Sequence, residues 1–209
     1  MNTVRTLSKR AFIPVVVVAV VAAAIFLLGR NSGVRAESSV ASTGQGASSE
    51  LGAGGPKMID PATYVFPVRL TDVQWQKRLT PAQYQILREK GTDPAFDNAY
   101  WNNHASGIYY SAATGQPLFS SADKFDSGTG WPSFTKPISP TDVVVDQDDS
   151  FGMQRIEVLD SLSGSHLGHV FNDGPPPTGL RYCMDSTALI FVPTGGTPPK
   201  LITAEPAKQ

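Results

Sequence analysis

Residues 143–171, VVVDQDDSFGMQRIEVLDSLSGSHLGHVF, decide the fold class. Val143–Asp146, Gln154–Leu159 and His166–Phe171 are short runs dominated by apolar, largely β-branched or aromatic, residues. Asp148-Asp149-Ser150 separates the first two, and such residues favour turns because their short polar side chains bond the nearby backbone. Runs this short suit strands joined by tight connections better than helices. Gly107–Ser111, Gln116–Phe119 and Ala188–Val192 have the same character, and Asp173-Gly174-Pro175 supplies another turn. Nineteen glycines and seventeen prolines fit a chain with many such punctuations. The expected domain is mainly β and mostly antiparallel.

One leading helix is expected before these strands. Thr80 can cap it, Pro81 suits its first turn, Gln83 completes a capping box and Leu79 can pack on Tyr84. Gly91 can end it in a left-handed turn.

The N-terminal region is of a different kind. Ala11–Gly29 is uncharged, and at about 1.5 Å per residue it nearly spans a ~30 Å hydrocarbon layer. Arg5, Lys9 and Arg10 precede it, which favours a cytoplasmic N-terminus and an exported remainder. The run is longer than a signal-peptide core, so an N-terminal transmembrane helix is expected; Val34-Arg35-Ala36 leaves a cleaved and exported form as the alternative. Residues 31–58 read as a flexible linker rich in Gly, Ser and Ala, residues 59–195 as the catalytic domain and residues 196–209 as a tail. The membrane is thus a partner through residues 11–29, and the domain is placed on the periplasmic side.

A net charge of -1 gives no general attraction to nucleic acid. The single cysteine, Cys183, excludes an intramolecular disulfide and any zinc site built from several thiolates. If Arg181–Asp185 is extended, Arg181, Cys183 and Asp185 share a face; the arginine favours the thiolate and the carboxylate opposes it. His166 and His169 fall on opposite faces of a regular strand, but a bulge at Gly168 brings both to one side, where imidazoles supply proton transfer near neutral pH. Trp131 and Phe134, in a loop bounded by Gly and Pro, read equally as a core plug or as a pocket for a thioether-like group. On residues alone, three readings stand open: a thiol enzyme, a non-catalytic binding module, and a metal hydrolase using His166, His169 and Asp173.

The order of motifs narrows them. Lys124–Phe134 (KFDSGTGWPSF), Glu157–Leu159, His166–Phe171 (HLGHVF) and Thr178–Cys183 (TGLRYC) together resemble the B-type methionine sulfoxide reductases. Tyr100–Asn103 and Pro117–Ser121 extend the resemblance over Leu79–Val192. It implies two antiparallel sheets with the nucleophile on a late strand, and reduction of the R epimer of methionine sulfoxide, mainly in oxidised proteins. By position, Cys183 is the nucleophile, His169 and His166 bind and protonate the sulfoxide oxygen, and Trp131, Phe134, Arg181 and Phe171 form the substrate surface. Asp185 stands where the family has asparagine and is expected to join the catalytic group. Ser111, Thr114, Asp160 and Ser163 stand where many members carry zinc-binding cysteines, so no zinc is expected. Thr129 stands where a resolving cysteine is frequent, so a thioredoxin-like or small-thiol reductant must come from outside.

Overall fold

A computed structural model describes residues 55–203. The expected membrane segment, nearly all of the linker and the end of the tail lie outside the described residues. Among the described residues no helix is long and apolar enough to cross a membrane.

Two short helices come first, α1 (Asp72–Arg78) and α2 (Pro81–Leu87), after a two-residue strand β1 (Lys57–Met58). Each helix opens on a complete capping box, Thr71 with Gln74 and Thr80 with Gln83. The sequence reading found only the second. It also placed the helix end at Gly91, whereas α2 stops at Leu87 and the left-handed residue is Lys90, with φ 55°. The Gly91 amide then closes the turn by donating to the Gln85 carbonyl at 3.0 Å.

The strands β2 (Gly107–Ser111), β3 (Pro117–Ser120), β4 (Lys124–Phe125), β5 (Ser133–Phe134), β6 (Val143–Asp148), β7 (Arg155–Asp160), β8 (His166–Phe171), β9 (Arg181–Met184) and β10 (Leu189–Pro193) make two sheets. The larger runs β1-β6-β7-β8-β9-β5-β4 and the smaller β10-β2-β3. The pairing is antiparallel except at one edge, where β1 lies parallel to β6, in keeping with the expected mostly antiparallel domain.

Alternation along the strands assigns the two faces of the large sheet. Val143, Val145, Val158, Val170, Tyr182 and Phe134 face the main core, which they share with Tyr109, Leu118 and Phe119 on the smaller sheet. Phe134 stacks on Phe119 with centroids 4.6 Å apart and meets the edge of Tyr109 at 5.0 Å. Burying such side chains is worth about 1.5–3 kcal/mol each, so this layer fixes which residues must face outward. On the outer face, Val144 and Leu159 gather with Ile59 under Tyr64 and Phe66. The beginning of the expected tail is not loose: the Ile202 amide donates to the Thr114 carbonyl at 2.7 Å and its side chain packs on the core.

Candidate active site

The register of β7, β8, β9 and β5 brings one row of side chains to the outer face. Glu157 pairs with His169, His169 with Cys183, and Cys183 with Ser133. Phe171 pairs with Arg181 one step along. Cys183 is half-buried, so a small ligand can reach it.

The bulge expected at Gly168 is present. The β7–β8 register slips between Val158 and Leu159, and Gly168 has φ 145°. A Cβ there would lie 2.2 Å from the Cys183 carbonyl oxygen, so only glycine allows β8 this close to β9. The slip turns His166 to the side of His169, with ring centroids 5.4 Å apart.

Carboxylates hold both imidazoles. His166, 3% exposed, meets Glu157 Oε1 at 2.7 Å through Nδ1 and lies 3.5 Å from Asp185 Oδ2 through Nε2, an ion-pair distance at the limit of hydrogen bonding. Lys90 bonds the second oxygen of Glu157 at 2.7 Å. Burial works against the His166 charge, but the carboxylates of Asp185 and Glu157 outweigh it and its pKa is raised. Glu157 is correspondingly lowered: burial opposes its charge, and His166 and Lys90 overcome that. His169 Nε2 meets Asp148 Oδ2 at 2.7 Å, and Arg155 meets the same oxygen at 2.7 Å. Burial dominates at His169, with the nearby His166 and Arg155 charges adding to it, and its pKa is lowered despite Asp148.

At Cys183, burial pushes the thiol pKa up; Arg181, Thr129 and Ser133 pull it down, while Asp185 pushes it further up. The Thr129 hydroxyl is 3.9 Å from the sulfur. The opposed actions of Arg181 and Asp185 agree with the sequence reading, but burial exceeds them and the thiol pKa is raised. Arg181 is aimed by Asp173, which takes its fork at 2.8 and 2.9 Å, and it lies 4.3 Å over the Phe171 ring.

Trp131 is half-buried and its indole N–H donates to the Asp93 carbonyl at 2.9 Å. Phe134, expected beside it at the substrate surface, is a core residue; its neighbour Ser133 faces Cys183, and alternation sends the ring the other way. Asp173 is committed to Arg181, so His166, His169 and Asp173 do not form the ligand set of a hydrolase. Among the described residues no group of three His, Cys, Asp or Glu is placed to hold a metal ion.

Three site residues escaped the sequence reading. Asp148 reads as a turn residue, yet it holds His169. Glu157 is a charge within an apolar strand, and that interruption was the available signal. Asp93 ties the site together: its amide donates to Asp185 at 2.7 Å, its carbonyl holds Trp131, and its carboxylate accepts from Thr187 N–H and O–H at 2.8 and 2.7 Å. Two of those links are made by the backbone and leave no mark on side-chain pattern.

Comparison with known proteins places this arrangement. The SelR domain family matches residues 79–193, more than half of the chain. The chain belongs to this family, the B-type methionine sulfoxide reductases. It is 58% identical over 123 residues to the peptide methionine sulfoxide reductase MsrB of Thiobacillus denitrificans, covering 59% of this chain and 93% of that protein. It is 53% identical over 126 residues to the MsrB of Leptospira interrogans, covering 60% of this chain and 96% of that protein. The MsrA/MsrB protein of Vibrio cholerae, 52% identical over 126 residues, matches over 60% of this chain and only 33% of its own length.

Within this SelR domain the corner formed by Ser111, Thr114, Asp160 and Ser163, considered above as a zinc position, is built of oxygen. Ser111 Oγ accepts the amides of Ala113 and Thr114; the Thr114 hydroxyl donates to Asp160 Oδ2 at 2.6 Å. Asp160 Oδ1 accepts the amides of Leu162 and Ser163, and the Ser163 hydroxyl donates to Ser165 at 2.9 Å. All four positions are buried. Three hydroxyls and one carboxylate, already bonded among themselves, do not fit a zinc ion that favours thiolate and imidazole.

Proposed function

We propose that this chain reduces R-methionine sulfoxide, mainly within oxidised proteins, to methionine, using Cys183 as nucleophile. The observation that carries the reading is the outward row in which Cys183 lies in register with His169 and Ser133, with the bulge turning in His166. That row supplies a nucleophilic sulfur and a proton carrier on adjacent strands.

The pKa directions suggest how the proton moves. The resting pair is a neutral thiol and a neutral His169. His169 accepts the thiol proton as Cys183 attacks the sulfoxide sulfur and an S–S bond forms, then gives it to the oxygen. The sulfoxide S–O bond breaks, that oxygen bonds to the Cys183 sulfur, and the S–S bond breaks as the thioether leaves. Cys183 loses two electrons and becomes a sulfenic acid; the sulfoxide sulfur gains them and leaves as a thioether. No proton from solvent is needed. The charge on His166 makes His169 the stronger acid for the second transfer, Asp148 fixes its orientation, and Trp131 provides a wall for the methyl group. With one thiol in the chain, two equivalents of an external thiol, or a thioredoxin-like dithiol, return Cys183 to its starting state and release water. The catalytic chemistry uses no zinc.

The same reading takes residues 11–29 as the anchor that carries the domain to the outer side of a membrane, supported by the uncharged run and the basic residues before it. Protease accessibility of intact cells, with and without permeabilisation, tests that placement.

Activity is tested on separated R and S epimers of a blocked methionine sulfoxide. Without reductant, the R epimer should yield one methionine per chain and a sulfenic acid trapped by dimedone, and Cys183→Ser should yield none. Equal activity on both epimers, or product from Cys183→Ser, overturns the proposal.

A further inference from the structure

Three hydroxyls, those of Ser133, Ser127 and Thr129, form a chain that ends on the sulfur of Cys183. Ser133 Oγ donates to Ser127 Oγ at 2.8 Å, in preference to the Trp131 carbonyl at 3.2 Å. Ser127 Oγ also accepts the Thr129 amide, at 3.4 Å. Both its lone pairs are then taken, so its own hydrogen goes to Thr129 Oγ1, 2.8 Å away. Thr129 is left with a hydrogen to give, and its acceptor among the described residues is Cys183 Sγ at 3.9 Å. That contact with a thiol is long and weak. The loop that presents Thr129 is pinned next to it: the Gly130 carbonyl accepts the Phe96 amide at 2.9 Å, and a Cβ on Gly130 would lie 2.7 Å from the Phe96 nitrogen.

We propose that Thr129 is the seat of the sulfenic oxygen: once methionine has left, its hydroxyl donates to the oxygen on Cys183 and holds it until an external thiol arrives. The proposal rests on the reductase reading and extends it to the second half of the cycle. An oxygen bound to the sulfur and turned toward Thr129 fills the 3.9 Å gap and comes within about 2.8 Å of the hydroxyl, the usual O–H···O length. Sheet order gives this side its use. β9 lies between β8 and β5, so His169 and the hydroxyl chain flank Cys183 from opposite directions. Displacement at sulfur runs in line, with the incoming thiol opposite the departing oxygen. Oxygen held on the β5 side leaves the His169 side open. There the thiol gives its proton to neutral His169 and its sulfur bonds to Cys183 Sγ. The S–O bond breaks with its electron pair, and the departing hydroxide, stabilised by the Thr129 hydrogen bond, leaves as water after taking a proton from solvent, to which His169 returns its own. A second thiol attacks the mixed disulfide and frees Cys183, so two thiols are oxidised to one disulfide while the sulfenic sulfur is reduced. The same hydrogen bond draws electron density from the sulfur and makes it a poorer nucleophile toward peroxide, which would carry it on to sulfinic acid.

In the test, the sulfenic acid is made in the full chain in two ways, by a single turnover of the R epimer without thiol and by a limited dose of hydrogen peroxide. Each sample is then mixed with 2-mercaptoethanol or with more peroxide, and mass spectrometry of quenched samples follows the mixed disulfide and the sulfinic acid. Thr129→Val keeps the shape and loses the hydroxyl; it should react with the thiol about tenfold more slowly and be overoxidised about threefold faster, the scale of one lost hydrogen-bond donor. Thr129→Ser should behave as wild type. Ser127→Ala, which removes the group that orients Thr129, should shift both rates in the same senses as Thr129→Val, by less. A site that was merely loosened would speed both reactions, so the opposed shifts are the signature. If Thr129→Val changes neither rate or moves both the same way, or if Thr129→Ser matches it, Thr129 is not the seat. If wild type forms the sulfenic acid with peroxide but yields no methionine from the R epimer, the reductase reading fails instead, and the peroxide arm still decides the role of Thr129.

Discussion

Glu157→Gln gives a direct test of the charge arrangement behind Cys183. Glu157 is 1% exposed, and its two oxygens meet His166 and Lys90 at 2.7 Å each. Neutralising it leaves the His166 charge with Asp185 alone, at 3.5 Å. Breaking a buried ion pair costs about 3–5 kcal/mol, and because the amide oxygen can still accept from Nδ1–H, the lower end, about 3 kcal/mol, applies. Lys90 is largely exposed, so its link to Glu157 is screened and adds little. For a domain of this size the loss corresponds to a melting temperature lower by about 6–12 °C. The pH dependence carries the sign. Glu157 is lowered from 4.5, so its stabilisation is complete above that pH and is lost as pH falls through the folded value. His166 is raised from 6.5, so its stabilisation is complete below that pH and is lost as pH rises through the folded value. The two overlap between pH 4.5 and 6.5, where the difference between wild type and variant should be greatest. Urea unfolding of both proteins from pH 3 to 9 measures it. A difference that stays constant across this range would refute the ion pair as its source.

Gly168→Ala forces a Cβ to 2.2 Å from the Cys183 carbonyl; a loss of about 2–3 kcal/mol in urea unfolding and of about 100-fold in kcat/KM is expected as the imidazoles part from the sulfur. Arg181→Met removes the cation nearest Cys183, so the thiol pKa should rise further and alkylation by iodoacetamide at pH 7.5 should slow, with Asp173→Asn giving a smaller change. Asp160→Asn replaces one acceptor oxygen by an NH2 group, which then faces either the Thr114 hydroxyl or the Leu162 and Ser163 amides; a loss of about 2 kcal/mol in thermal unfolding is expected, with activity per folded molecule retained. For wild type, kcat/KM should show no titration of His169 or Cys183 between pH 6.5 and 9.0, because His169 is lowered from the first value and Cys183 raised from the second; the change expected within that interval is a fall as His166, raised from 6.5, loses its charge, and a rise there would contradict the proton relay.

Much of the site was legible because it lies in regular strands. Alternation and one glycine suffice to bring His166 and His169 together, and α2 announces itself by its capping box. The same signal stood at Thr71 and Gln74 and marked α1. Phe134 was misplaced because its side depends on the register of β5 against β9, a long-range pairing that residue types near Trp131 do not encode. Asp148 was read for its local preference, and a turn-favouring residue gives no hint of a histidine twenty-one positions later. The strand β1 has two residues, Lys57 and Met58, too few for any periodicity, so its parallel pairing to Val144 and Val145 depends on tertiary packing alone.

The corner built by Ser111, Thr114, Asp160 and Ser163 has a consequence for endurance. A fold clasped there by metal thiolates opens when peroxide or hypochlorite attacks the sulfur and the metal departs. Hydroxyl and carboxylate oxygens offer such oxidants nothing to take. Repeated exposure to the conditions that damage methionine therefore threatens the lone thiol of this chain and leaves that joint of its frame intact.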